Sequence, residues 1–100
     1  MLHTVNKSPF ERNAVASCLA HAVDGAAILF IEDAVYAATK GTSVAAKVEE
    51  AVGKCKVFVL GPDLAARGMS EDNVIAGITV VDYEGFVDLA VEHSAVQAWL

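Results

Sequence analysis

The chain has few basic side chains. Of its 100 residues, 7 are Lys or Arg and 13 are Asp or Glu, which gives a formal net charge of −6. A protein that binds nucleic acid directly needs a basic face to neutralise phosphates. The charge balance therefore argues against direct contact between this chain and nucleic acid.

The chain also lacks a long apolar run, although 55% of its residues are hydrophobic. A membrane-spanning helix needs about 18–20 apolar residues, and the run at 26–31 ends at Glu32 and Asp33. His3 and Lys7 interrupt the N-terminal segment, which does not match a signal peptide. We therefore expect a cytoplasmic protein that does not enter a membrane. The high apolar content predicts a sheet buried on both faces together with a subunit interface.

The short motifs of common cofactor and metal sites are missing. The loop at 6–13, NKSPFERN, follows the first predicted strand and has no glycine, so it is neither a P-loop nor a dinucleotide fingerprint. The 2 cysteines form no CxxC pair, and the 3 histidines are scattered. We therefore expect no cofactor and no metal, and reduced thiols rather than a disulfide. A small flavodoxin-like ligand binder is a weaker alternative for the same reason.

What is present is an alternation of apolar runs with helical segments. Strands are predicted at 2–5, 26–31, 57–60 and 78–81, helices at 9–23, 44–52 and 83–93, and short helical turns at 34–39 and 64–68. The tail at 96–100 favours a short fifth strand, with further helix as the alternative. This alternation predicts one α/β domain over residues 1–100. We expect three α/β/α layers and an open, mostly parallel sheet of four to five strands.

Polar residues predict where the helices begin. Glu11 would lie in the first turn of the first helix, where the helix dipole favours a negative charge. Ser43 and Asp82 are predicted as N-caps of the second and last helices. Apolar residues at helical spacing predict the buried stripes, which are Val15, Leu19, Ala22 and Val23 on the first helix, Val44, Val48 and Val52 on the second, and Phe86, Leu89 and Ala90 on the last, with Val87 as a further candidate.

Cys18 is the first candidate for chemistry. At about 100° per residue it falls at the edge of the apolar stripe of the first helix, and His21 follows one turn later as a source of positive charge or a proton relay. A reactive thiol needs access and a lowered pKa. The competing interpretation is that Cys18 fills space between helix and sheet, as buried free cysteines often do.

Cys55 is the second thiol. It lies between Lys54 and Lys56, whose positive charges favour a thiolate. However, it sits at the amino end of a predicted strand, opposite the edge where ligands usually bind in such sheets. A structural role is therefore favoured for Cys55.

Polar residues follow two predicted strands at their carboxyl ends. The segments 6–8 and 32–33 should be neighbours on one edge of the sheet, with the acidic pair facing Lys7. They predict either a surface for partner docking or an ordinary solvated edge. Tyr36 and Trp99 lie outside the clear stripes and are either interface anchors or core residues.

Four segments taken together resemble the TusB/DsrH family of sulfur-relay proteins. They are LHTVNKSPFERN at 2–13, IEDAVYAA at 31–38, DLAARG at 63–68 and VDYEGFVDLAVEHSAVQAWL at 81–100. The resemblance covers essentially the whole chain. A cysteine in the first helix, here Cys18, inclines it towards the DsrH type.

The resemblance implies a function in sulfur transfer. Family members are small cytoplasmic α/β subunits of a heterohexamer that also contains DsrE-like and DsrF-like (TusD-like and TusC-like) subunits. The complex passes persulfide sulfur from upstream to downstream proteins, towards 2-thiolation of the tRNA wobble uridine in the Tus form or in sulfur oxidation in the Dsr form. Such a chain is a sulfur-carrier or transferase subunit, not a stand-alone enzyme.

The resemblance also assigns a candidate site residue. DsrH-type chains carry a cysteine in the first helix, so Cys18 is the candidate persulfide carrier, whereas Cys55 matches no motif of the family. The principal sulfur-accepting cysteine belongs to a different subunit, and no cysteine of this chain follows the third strand near 61–63. The alternative is a non-catalytic subunit that completes the complex and provides a docking surface.

Overall fold

A computed structural model describes residues 1–10, 13–93 and 95–100. Its strands are β1 (Leu2–Val5), β2 (Ala27–Phe30), β3 (Lys56–Leu60), β4 (Thr79–Val81) and β5 (Val96–Trp99). Its α-helices are α1 (Ala14–His21), α2 (Ala45–Val52), α3 (Gly61–Ala66) and α4 (Tyr83–Glu92), and two 3₁₀ helices cover Glu32–Ala38 and Glu71–Asn73. None of the helices in these ranges is long and apolar enough to cross a membrane.

The five strands form one sheet in the order β4-β3-β2-β1-β5, and every neighbouring pair is parallel. The predicted α/β class is confirmed, and so is the fifth strand, whose residue Val96 lies beside Leu2 of β1. The chain steps in one direction from β1 to β4 and then returns across the sheet to β5. Because parallel crossovers are right-handed, this reversal places α4 on the face opposite the earlier helices.

Two apolar clusters lie on the two faces of the sheet. The larger cluster joins α1 and α2 to inward residues of the strands such as Ile28, Phe30 and Val59. The smaller one joins Leu89 of α4 to Leu29 and its neighbours. Ile28 and Leu29 are consecutive in β2, so their side chains point to opposite faces. The three predicted layers follow from this arrangement.

Of the residues predicted to begin the helices, one is confirmed and one is wrong. The cap of α4 is confirmed, because Asp82 Oδ1 accepts a hydrogen bond of 2.8 Å from the Gly85 amide. The cap predicted for α2 was wrong. Val44 is the N-cap residue and makes no side-chain hydrogen bond, and Ser43 lies before it. The first-turn position predicted for Glu11 lies outside the described residues.

The stripe on α1 differs from the prediction at two positions. Val23 is 69% exposed because the helix ends at His21, so Val23 no longer follows the helical period. Cys18 is fully buried and not at the stripe's edge. Ala14 is also buried, and it widens the stripe on the side where Cys18 lies.

The stripes on the other two helices are narrower than predicted. Val48 is fully buried in α2, whereas Val44 and Val52 are half-buried. In α4 only Leu89 is buried, whereas Ala90 and the further candidate Val87 are exposed. Length does not account for the narrow stripe of α4, since α4 has 10 residues and buries one of them, whereas α1 has 8 and buries four.

Candidate functional site

Cys18 lies in the middle of the larger core cluster. The α1 helix carries it against the sheet, where its relative exposure is 0%. This burial, and secondarily the charge of the nearby Cys55, raises the pKa of the Cys18 thiol to about 12. Only about one thiol in 10⁵ would then be ionised at neutral pH. In this conformation Cys18 is a packed thiol with little nucleophilic character.

Cys55 is also buried, with 8% exposure. Its Sγ donates to the Val23 carbonyl oxygen over 3.5 Å. Burial raises its pKa, and this effect outweighs the opposing positive charge of Lys54. The flanking lysines therefore do not produce the thiolate that their sequence position suggested.

His21 makes its contacts away from the thiols. Its Nδ1 lies 2.7 Å from the Ser17 carbonyl oxygen, one turn earlier in α1, and its ring centroid lies 5.7 Å from that of Trp99. Among the hydrogen bonds of the described residues, none joins His21 to Cys18. The structure thus does not bring the predicted relay together.

Trp99 packs against two histidines, His3 and His21. Its Nε1–H donates to Nδ1 of His3 over 3.1 Å, and the two ring centroids are 6.1 Å apart. Burial, and secondarily the positively charged N-terminus, lowers the pKa of His3. Trp99 is half-buried in these contacts. The sequence alone did not indicate this cluster, because His3 and Trp99 meet only when β5 pairs with β1.

Hydrogen bonds and an ion pair connect several charged residues at the carboxyl edge of the sheet. Glu32 follows β2 with φ = +50°, a backbone conformation that is uncommon outside glycine. Its amide donates to Asp63 Oδ2 over 2.6 Å. This contact ties the loop after β2 to the start of α3.

Arg67 completes the group. Its guanidinium lies 2.8 Å from Asp33 Oδ1, and it also donates to the Asp63 carbonyl oxygen over 3.1 Å. The acidic pair was predicted to face Lys7, but Asp33 pairs with Arg67 instead. Asp63 and Arg67 are four residues apart and could have been recognised as helical neighbours, although the link to Asp33 is a tertiary contact.

Two depressions open at this edge. One, of about 320 Å³, is lined by Ser8, Phe10, Asp33 and Tyr36. The other, of about 620 Å³, lies between the carboxyl ends of β3 and β4. From there β3 leads into α3, and β4 leads into α4 on the opposite face of the sheet. Within residues 1–10, 13–93 and 95–100, no group of three or more His, Cys, Asp or Glu side chains could hold a metal ion.

Comparisons with known proteins give a consistent result. A family model described as "DsrH like protein" matches residues 7–96. Protein TusB from Pectobacterium parmentieri is 36% identical over 100 residues, which is 99% of this chain and 100% of that protein. Protein TusB from Shigella flexneri is 35% identical over 99 residues, again 99% of this chain and 100% of that protein.

Solved structures support the fold. A protein of unknown function from Methanobacterium thermoautotrophicum superposes with a TM-score of 0.78 at 16% identity, covering 97% of this chain and 95% of that one. The ychN protein from E. coli gives a TM-score of 0.74 at 16% identity, with 97% of each chain covered. At this identity the likeness concerns the fold alone.

Proposed function

The chain belongs to the DsrH family, and we propose that it is a subunit of a cytoplasmic sulfur-relay complex. The observation that carries this proposal is the full-length similarity to TusB proteins at 35–36% identity. The partners would be DsrE-like and DsrF-like (TusD-like and TusC-like) subunits in a heterohexamer. The complex would serve tRNA wobble-uridine thiolation or sulfur oxidation.

The reaction of such a complex is a displacement at sulfur. A thiolate attacks the terminal sulfur of a donor persulfide, a new S–S bond forms, and the old S–S bond breaks to release the donor as a thiolate. No net oxidation occurs, and neither a metal nor a cofactor is needed. Each station in the relay requires an accessible and partly ionised thiol.

We propose that this chain contributes surface to the complex and that the relay thiols belong to its partners. Cys18 is fully buried, Cys55 is nearly so, and burial raises the pKa of both thiols. In this conformation neither thiol is accessible and partly ionised, as sulfur transfer requires. The chain would instead complete the assembly and shape the surface on which sulfur donors or acceptors dock.

A second candidate role keeps Cys18 as the persulfide carrier. Its place in α1, the first helix, favours this role, because the resemblance assigns the family's cysteine to that helix. Transfer would then require α1 to lift from the sheet and expose the thiol. The prediction that Cys18 carries sulfur stays a prediction.

Co-purification tests the proposed function. We would co-express an affinity-tagged form of this chain with the DsrE-like and DsrF-like subunits of the same organism and measure the stoichiometry of the captured complex. Capture of both subunits in equal amounts is the expected result. Capture of the tagged chain alone, from cells in which the other two subunits are soluble, would overturn the proposal.

A further inference from the structure

The net negative charge of the chain lies entirely in its last third. Residues 68–100 contain six acidic side chains and neither Lys nor Arg, whereas residues 1–67 contain seven of each sign. The last third supplies β4, α4 and β5. Four of these six acidic residues belong to α4 or to its N-cap, and α4 is the only α-helix seen on the other face of the sheet among the described residues.

The outward side of α4 is apolar along one row. Tyr83, Val87 and Val91 are spaced four residues apart and are 61%, 60% and 80% exposed. Leu89, which packs against the sheet, points in the opposite direction. Three large exposed apolar side chains in a row on one helix mark an interaction surface more often than single ones do.

An acidic row runs beside the apolar one. Glu84, Asp88 and Glu92 are also spaced four residues apart, and all three are exposed. Each follows its apolar neighbour by one position, so the second row is turned by about 100° around the helix axis. We call these six residues the α4 face.

We propose that the α4 face docks on a partner subunit whose own surface presents apolar side chains beside Lys or Arg. The inference rests on the proposed function, which requires such partners. The charge pattern selects the occupant, because a basic and apolar surface complements both rows at once. A second copy of this chain would bring two acidic rows together, and nucleic acid would be repelled.

Two double variants test the two rows separately. E84K/D88K reverses the acidic row, and V87Q/V91Q removes branched apolar side chains without changing charge. Matched controls lie on the other helices: E49K/E50K changes two exposed residues of α2 by the same charge, and V23Q changes an exposed valine after α1. All the changed positions are exposed, and thermal unfolding would verify that each variant is folded.

The measurement is the affinity of each variant for the co-expressed DsrE-like and DsrF-like subunits. We expect both α4 variants to bind at least tenfold more weakly than wild type, the controls to bind within about twofold of it, and wild-type binding to weaken as salt is raised. Equal binding by wild type and both α4 variants would overturn the inference and leave the proposed function standing. An equal loss of binding in E49K/E50K would also overturn it, because the loss would then follow from the change in net charge and not from its position on α4.

Two further outcomes concern the occupant. If wild type alone forms a dimer that the α4 variants abolish, the occupant is a second copy and the inference is overturned. If wild type captures neither subunit, the proposed function fails, and the inference fails with it.

Discussion

At the scale of single residues, the proposed function depends on the burial of the two thiols. Cys18 and Cys55 occupy the same core cluster, one on α1 and one just before β3. Helical periodicity identified the side of α1 that faces the sheet. It placed Cys18 at the edge because the predicted stripe did not include Ala14, which is buried on the side where Cys18 lies.

Thiol reactivity follows from this burial. Without denaturant, iodoacetamide should modify Cys18 at least a thousand times more slowly than in the unfolded chain, because the thiol is both inaccessible and almost wholly protonated at neutral pH. Rates would be followed by peptide mass spectrometry, with Cys55 in the same sample as an internal comparison. Rapid modification of Cys18 in the native chain would show that α1 opens readily and would favour the carrier role.

A pH effect is expected at His3. Its pKa is lowered in the folded chain, so the fold favours the neutral ring, whose Nδ1 accepts the Trp99 N–H. The stabilisation is complete above the ordinary histidine pKa of about 6.5 and is lost as the pH falls through the lower folded value. Wild type should therefore lose more stability on acidification in this range than H3Q does, as measured by urea unfolding.

Trp99 reports the same event, because it is the only tryptophan in the sequence. Its fluorescence should change over the pH range in which stability falls in wild type, and this change should be missing in H3Q. H21Q is the matched control, since His21 also contacts the Trp99 ring but not its N–H. Identical stability profiles for wild type and H3Q would contradict the assignment.

At the scale of elements, α4 begins with a side-chain cap that can be tested. D82A removes the acceptor for the Gly85 amide and should reduce the free energy of unfolding by about 1 kcal/mol. D88A removes the same charge from the exposed middle of the helix and should change stability by less than about 0.5 kcal/mol. Urea unfolding of both variants makes the comparison, and equal losses would mean that charge, not capping, is responsible.

The turn before β4 depends on a glycine. Gly77 has φ = +92°, and a Cβ there would lie 2.5 Å from Cγ1 of Val52. Gly41 has a similar φ of +81° but open space around it. G41A should therefore lose about 1 kcal/mol from backbone strain alone, and G77A should lose clearly more.

The melting temperatures of the two glycine variants, measured by circular dichroism, provide the test. A larger fall for G77A than for G41A is expected. Equal falls would show that α2 moves away from the new methyl group without cost.

The elements show what a sequence can and cannot reveal about this fold. Apolar runs and turn residues were enough to predict five strands and three main helices, because each signal is local. The Ser43 cap was wrong because α2 begins one residue later than predicted, at Ala45, whose amide donates to the Thr42 carbonyl oxygen. The ion pair at the carboxyl edge was not predicted either. Asp33 and Arg67 are 34 positions apart, and only the pairing of β2 with β3 brings them together.

At the scale of the whole molecule, two features work together. The thiols are enclosed between helices and sheet, and the acidic charge is concentrated in the part of the chain that holds α4. A chain that carried sulfur itself would need the reverse arrangement at its cysteine, with access and a nearby positive charge. Both features support the proposal that this chain holds partners in place and that the displacement takes place on their thiols.

The most direct test is intact-mass spectrometry of every subunit after the assembled complex is incubated with a persulfide donor. Complexes containing wild type, C18S or C55S would be compared. We predict sulfur atoms added to the partner subunits, none added to this chain, and no difference among the three complexes. Addition of sulfur to this chain that disappears only in C18S would contradict the account and make Cys18 a station in the relay.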